Sequence, residues 1–254
     1  LFSLILMVGF YQLGEIIFYN KKVNLVISSI SELKYQKILV AVNFSMIAIF
    51  PVVLFFNYSK IILGFFSILL FMMGLLKTSS TLKKFSLKEN IFNRNIDYYI
   101  FLLVVLGIFL INFSPVNHID SLDYHMWGAK YIYQTGRLPT SVESFTNLLV
   151  GSGEGLYSIG FFFGAEQFGN FIQFSGLISL IGIFNKFNNK KYFLLLLILT
   201  SPMILFLVTS PKPQFLHLCS NAFLFVLLFI NFNSIKSAKY NPFVIVVITN
   251  VFLI

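Results

Sequence analysis

The chain has 254 residues, 57% hydrophobic and 11% charged, where soluble domains run at roughly 45–50% apolar and about 25% charged, so a soluble globular fold is excluded. The formal charge of +9 does not mark a nucleic-acid binder, because the Lys and Arg residues are spread between apolar runs and form no single basic face. A single cysteine, Cys219, excludes an intrachain disulfide, a multi-cysteine metal site and a redox pair.

The expected fold class is all-α, a polytopic transmembrane helical bundle. A hydrocarbon core of about 30 Å needs about 20 mostly apolar residues per helix. Eight runs are read as spans: residues 1–19, 38–56, 61–76, 98–113, 168–184, 192–209, 215–232 and 243–254. Helices are required because an isolated strand in lipid leaves backbone polar groups unpaired. The chain starts at Leu1 without an initiator Met and stops inside an apolar run, which reads as part of a longer protein. With no fixed-period repeat, residues 1–254 read as one membrane domain.

The loops at 20–37, 77–97, 185–191 and 233–241 hold 14 of the 18 Lys and Arg residues. The positive-inside bias assigns them to the cytoplasm and leaves Lys60, Lys130, Arg137 and Lys212 on the outer side. Glu15 sits near the cytoplasmic end of the first span, where a carboxylate reaches water.

Residues 114–167 differ in texture. They form an outward-facing loop, rich in turn residues, with five of the nine acidic residues: Asp120, Asp123, Glu143, Glu154 and Glu166. Asp120 as N-cap, Asp123 at the third helical position, and Gly136 followed by Pro139 predict a helix over residues 121–134. One face would carry Asp120, Asp123, Trp127, Lys130 and Gln134, and another Leu122, Met126, Ala129 and Tyr133. This is a short amphipathic helix at the outer membrane surface, with Tyr124, Trp127 and Tyr131 as interfacial anchors.

Asp120-Ser-Leu-Asp-Tyr124-His125, then Ala129-Lys130-Tyr131 and Gly136-Arg-Leu-Pro139, resembles the outer loop of GT-C membrane glycosyltransferases, in the protein O-mannosyltransferase and aminoarabinose-transferase branch. Gly155-Leu-Tyr157, Ser201-Pro202 and Ser210-Pro-Lys-Pro-Gln214 fit the same layout, so the likeness runs from about residue 112 to 214. The resemblance implies transfer of a sugar from a polyprenyl-phosphate carrier to an acceptor hydroxyl on a glycan, lipid or protein, at the outer face of a bacterial inner (plasma) membrane.

An acceptor hydroxyl is a weak nucleophile at neutral pH, and a carboxylate that takes its proton helps. Asp120 is the candidate base, with helix capping as its structural reading; Asp123 is the second-choice acid. The departing phosphate calls for fixed cations, and Lys130, Arg137 and Lys212 are those on the outer side. Tyr124, His125 and Glu154 complete the expected substrate-binding set.

His118, Asp120, Asp123 and His125 place four possible ligands for a divalent metal within eight residues, but without the H-E-x-x-H spacing. No metal or other cofactor is expected. The Gly151-Ser-Gly-Glu154-Gly155 run lacks the Lys-Ser/Thr ending of a P-loop and reads as a flexible hinge before a short apolar segment, residues 156–163, that dips into the interface. His217 reads as a packed or water-facing residue. The alternative function is a transporter or flippase of lipid-linked or small solutes, which calls for polar residues at mid-depth and broken helices. The spans show little of either. A surface-polysaccharide polymerase or ligase, or a non-enzymatic scaffold, is the third reading.

Overall fold

A computed structural model describes residues 1–19, 33–56, 59–82, 96–140, 150–187 and 191–236. The described residues form helices and connecting turns, with no strand among them. In chain order the helices are α1 (Phe2–Phe18), α2 (Leu33–Phe55), α3 (Ser59–Leu82) and α4 (Ile96–Ile111). A π-helical turn, Ser121–Met126, then runs into α5 (Trp127–Thr135). The remainder are α6 (Ser152–Phe161), α7 (Phe168–Phe187), α8 (Lys191–Leu199), α9 (Pro202–Val208) and α10 (Gln214–Lys236).

Among the described residues, three helical stretches are long and apolar enough to cross a membrane: Lys34–Phe55, Ser59–Ser79 and Phe168–Asn185. They bear out the all-helical membrane class and do not support a count of about eight spans. The apolar stretches Phe2–Phe18, Ile96–Ile111 and Gln214–Phe229 are shorter among the described residues, the last of them lying within the 23-residue helix α10. The expected span over residues 192–209 is two helices. Thr200 and Ser201 separate them, with Ser201 extended at φ −65° and ψ 119° before Pro202. Proline lacks the donor a continuing helix needs and pushes the residue before it out of the α region. Residues 243–254, the last expected span, lie outside the described residues.

α1 packs on α2 and α3, α2 on α6 and α7, α7 on α10, and α4 on α8. α1 and α3 approach so closely that a Cβ on Gly9 would strike the Leu70 carbonyl and one on Gly74 that of Ile5. Small residues let membrane helices meet backbone to backbone in this way. On the opposite face of α3, Ile61, Phe65, Ile68, Met72 and Leu76 are exposed. At helical spacing they make one apolar stripe, the surface a lipid-facing helix presents.

The helices meet through more buried polar groups than the sequence reading allowed. Gln36 on α2 donates to the Ser179 carbonyl at 2.9 Å and accepts from the Ser179 hydroxyl. Asn43 bonds Ser220 on α10 at 3.0 Å. Gln173 on α7 donates to the Tyr157 hydroxyl at 2.6 Å and accepts the Leu216 N–H at 2.9 Å. These groups satisfy one another across helix interfaces, so they act as interhelical ties.

At one end of α1–α3, Glu15 takes Lys37 at 2.9 Å and Lys77 at 2.5 Å. The carboxylate expected simply to reach water is therefore clasped by two lysines. At the other end of α3, Gly136 rests on Ser59 and Lys60. From Lys60 to Lys77 is about 26 Å of helix, so the lysine clasp and the 114–140 region lie at opposite ends.

Candidate functional site

The segment expected to carry chemistry folds as a helix with a fault in it. Its N–H to C=O ladder starts with Leu122 bonding back to His118 at 3.0 Å. It is underwound into π geometry over Ser121–Met126 and returns to α geometry through Thr135. Gly136, at φ 77° in the left-handed region, ends it, its N–H bonding Ile132 at 2.7 Å. The helix and its glycine stop are thus where the sequence placed them. The π-turn, a feature often found at functional sites, is where Asp120, Tyr124 and His125 diverge in role.

Asp120 is helical at φ −61° and ψ −34° and its side chain makes no capping bond, which corrects its reading as an N-cap. Its carboxylate instead accepts from Lys212 Nζ at 3.1 Å, and His118 Nδ1 stands 3.9 Å from the same oxygen. The lysine holds the Asp120 carboxyl below its ordinary value of 3.8. Asp120 is about half exposed, whereas the Lys212 side chain is 9% exposed, so a nearly enclosed cation meets the surface through one carboxylate.

Lys212 is placed by the prolines around it. Pro211 sits on Gly169 at the start of α7, and Pro213 on Gly153 in α6. A Cβ would come within 2.7 Å of Pro211 at Gly169 and within 2.8 Å of Pro213 at Gly153. The stiff Pro-Lys-Pro turn is therefore wedged between two helices, and Lys212 crosses the face of Phe206 at 4.8 Å on its way to Asp120.

His125 turns the other way, into the protein, with 2% of its surface exposed. Its Nδ1 lies 2.5 Å from Glu154 Oε1, and Glu154 is itself 1% exposed. Glu154 Oε2 accepts the Gly151 N–H at 2.7 Å, the usual way an acid in a first turn satisfies an orphan donor. The expected flexible hinge is thus the capped start of α6, and residues 156–161 of the expected interfacial segment lie in that buried helix. Tyr124 is half-buried, its ring 4.0 Å from the imidazole. Burial, then the charges of Asp120 and Glu154, push its hydroxyl pKa up.

The structure therefore brings Asp120 to Lys212 and His125 to Glu154, with Tyr124 beside both acids. Asp123, Lys130 and Arg137 are exposed and take no part in either pair. The expected second helix face is also corrected: Leu122 is exposed, and the buried side is Ser121, His125, Met126, Gly128, Ala129 and Ile132. The π-turn shifts the register by one residue and rotates Leu122 outward. Trp127 and Tyr131 are half-buried, their rings tilted to each other with centroids 5.4 Å apart. The four possible metal ligands do not converge, because His118 approaches Asp120 while His125 is taken by Glu154. Glu143 lies outside the described residues.

A model of the DUF1420 N-terminal domain matches residues 77–254, more than half of the chain. The chain belongs to the DUF1420 family. Neither the comparison with curated proteins nor that with solved structures gives a match. Asp120, His125, Glu154 and Lys212 all fall inside the DUF1420 segment, whereas Glu15 and Lys37 precede it.

Sequence reasoning missed the division of labour between the two acids. The capping geometry of Gly151 and Glu154 was legible as a glycine followed three residues later by an acid. The partnership of Glu154 with His125 spans 29 residues and carries no local signal.

Proposed function

We propose that this DUF1420 protein is a membrane glycosyltransferase that moves a sugar from a polyprenyl-phosphate carrier to an acceptor hydroxyl. The observation that carries this reading is Lys212, a nearly enclosed cation that reaches the surface through half-exposed Asp120. A cation fixed by its surroundings stabilises charge as it develops on a departing phosphate, since no reorganisation is needed at the moment of reaction. In this reading Asp120 holds the lysine until the donor phosphate takes its place, and Lys130 and Arg137 attract the anionic headgroup from solvent.

The same reading sets the orientation. The lysine-rich loops face the cytoplasm and residues 114–167 face outward across a bacterial inner membrane, with the shorter apolar helices completing a polytopic bundle. The opposite placement of the Glu15 clasp and Gly136 along α3 supports it. A lipid-linked donor then approaches from the bilayer, where the α3 stripe is exposed.

A transporter is the weaker reading on one observation. Gln36 bonds Ser179, Asn43 bonds Ser220, and Gln173 bonds Tyr157 and the Leu216 N–H across the helices, whereas a solute path needs polar groups open to water.

The test is sugar transfer from a labelled polyprenyl-phosphate donor pool in membranes carrying the full-length protein. Wild type should transfer. Asp120→Asn, which keeps the shape, and Lys212→Gln should each fall by about 100-fold or more while staying inserted. Absence of transfer with every donor tried sinks the reading.

A further inference from the structure

We propose that His125 Nε2 is the atom that takes the proton of the acceptor hydroxyl, with Glu154 as the residue that positions it. The inference rests on the transferase reading for the identity of that hydroxyl, and on the geometry of the pair for everything else.

Glu154 has both carboxylate oxygens engaged, Oε2 by the Gly151 N–H at 2.7 Å and Oε1 by His125 Nδ1 at 2.5 Å. An ionised carboxylate is an acceptor only, so the hydrogen of a neutral imidazole must sit on Nδ1 and leave a bare lone pair on Nε2. That Nε2 is buried and has no hydrogen-bond partner. Interior polar atoms are ordinarily paired, and this one meets no donor among the described residues. Ser121 Oγ, four residues earlier on the same buried side of the π-turn, is likewise buried and unpartnered. The π-turn thus carries an oriented acceptor and a hydroxyl, both buried and both without a hydrogen-bond partner among the described residues. The half-buried Tyr124 ring lies 4.0 Å from the imidazole.

A base needs to be oriented and unengaged in order to take a proton as the new bond forms. Asp120 is engaged by Lys212; His125 Nε2 is not. In the proposed step the acceptor oxygen bonds the anomeric carbon of the sugar as its proton passes to Nε2. The bond from that carbon to the donor phosphate oxygen breaks, and the electron pair leaves with the polyprenyl phosphate beside Lys212. The imidazolium is held by Glu154 and releases its proton to solvent when product departs.

A purely structural tie between the π-turn and α6 would look the same in a stability measurement, so the test reads the proton itself. The full-length protein with ¹⁵N-labelled histidine, in lipid nanodiscs, gives the tautomer of His125, assigned by difference from His125→Asn. The expected state is hydrogen on Nδ1 and none on Nε2. In Glu154→Gln the amide keeps the Gly151 bond through its oxygen and donates to Nδ1, which moves the imidazole hydrogen to Nε2. That variant should stay folded and lose transfer by about 100-fold, and His125→Gly should recover transfer on addition of imidazole.

Hydrogen on Nε2 in wild type overturns the proposal, and so does transfer in Glu154→Gln within a few-fold of wild type. The tautomer does not depend on turnover. If wild type moves no sugar, the transferase reading fails by itself, and a bare Nε2 still assigns His125 as a proton-accepting atom.

Discussion

At one end of α3, Lys77 shares Glu15 with Lys37; at the other, past the seat of Gly136 on Lys60, stand the Asp120–Lys212 and His125–Glu154 pairs. Both ends gather acids with bases. In the first, one carboxylate joins three helices, and all its groups are partly open to solvent. In the second, the burial is uneven: Lys212 is enclosed and its partner exposed, while His125 and Glu154 are sealed with one imidazole nitrogen unpaired. An unsatisfied buried polar atom costs about 1–3 kcal/mol. Gln12 Oε1, one turn from Glu15, is left so as well, so what sets the second end apart is an unpaired nitrogen on a ring oriented by a buried carboxylate. In the proposed transferase, that contrast separates a helix tie from the place of proton transfer.

The contrast breaks most visibly at Glu154. Glu154→Ala leaves His125 Nδ1 and the Gly151 N–H both buried without partners. A loss of about 3–5 kcal/mol is expected, read as a large drop in the thermal midpoint in detergent. Midpoints unchanged from wild type would mean the pair is not sealed. Gly153→Val, next in size, drives a side chain against Pro213 and displaces the Pro-Lys-Pro turn, with about 1–3 kcal/mol lost. Slower donor binding should accompany it, because Lys212 moves with the turn.

Glu15→Gln should cost about 1 kcal/mol or less, and less still in high salt, because the clasp is partly screened by solvent. A loss as large as that of Glu154→Ala would erase the distinction between the two ends.

The smallest effect is in titration. Lys212 lowers the Asp120 pKa. A depressed acid contributes stability above its unfolded value and loses it as pH falls through the folded one. The pairing should therefore be intact at neutral pH and lost only below the ordinary 3.8. Carboxyl ¹³C NMR of labelled aspartate should show this midpoint rise in Lys212→Met.

The sequence made the membrane class and the 121–135 helix legible because hydropathy, Gly136 and Pro139 are local signals. Its count of about eight spans is not supported, because one apolar run, residues 192–209, folds as two short helices, α8 and α9. Pro202 was in plain view, but whether it starts a helix or interrupts one depends on Ser201. Asp120 and Lys212 were both singled out, yet their pairing spans 92 residues and depends on prolines seated against Gly153 and Gly169. The Glu154 partner of His125 and the unpaired Nε2 were beyond reach for the same reason. Periodicity reports faces, and the π-turn changes which face His125 and Leu122 occupy.

Sugar transfer from a polyprenyl-phosphate donor, compared between Glu15→Gln and Lys212→Gln in vesicles of the full-length protein, tests the account most directly. Wild type and Glu15→Gln should agree within about twofold while Lys212→Gln falls by about 100-fold, the size of one lost transition-state contact. No transfer by wild type, or an equal fall in both variants, would contradict it.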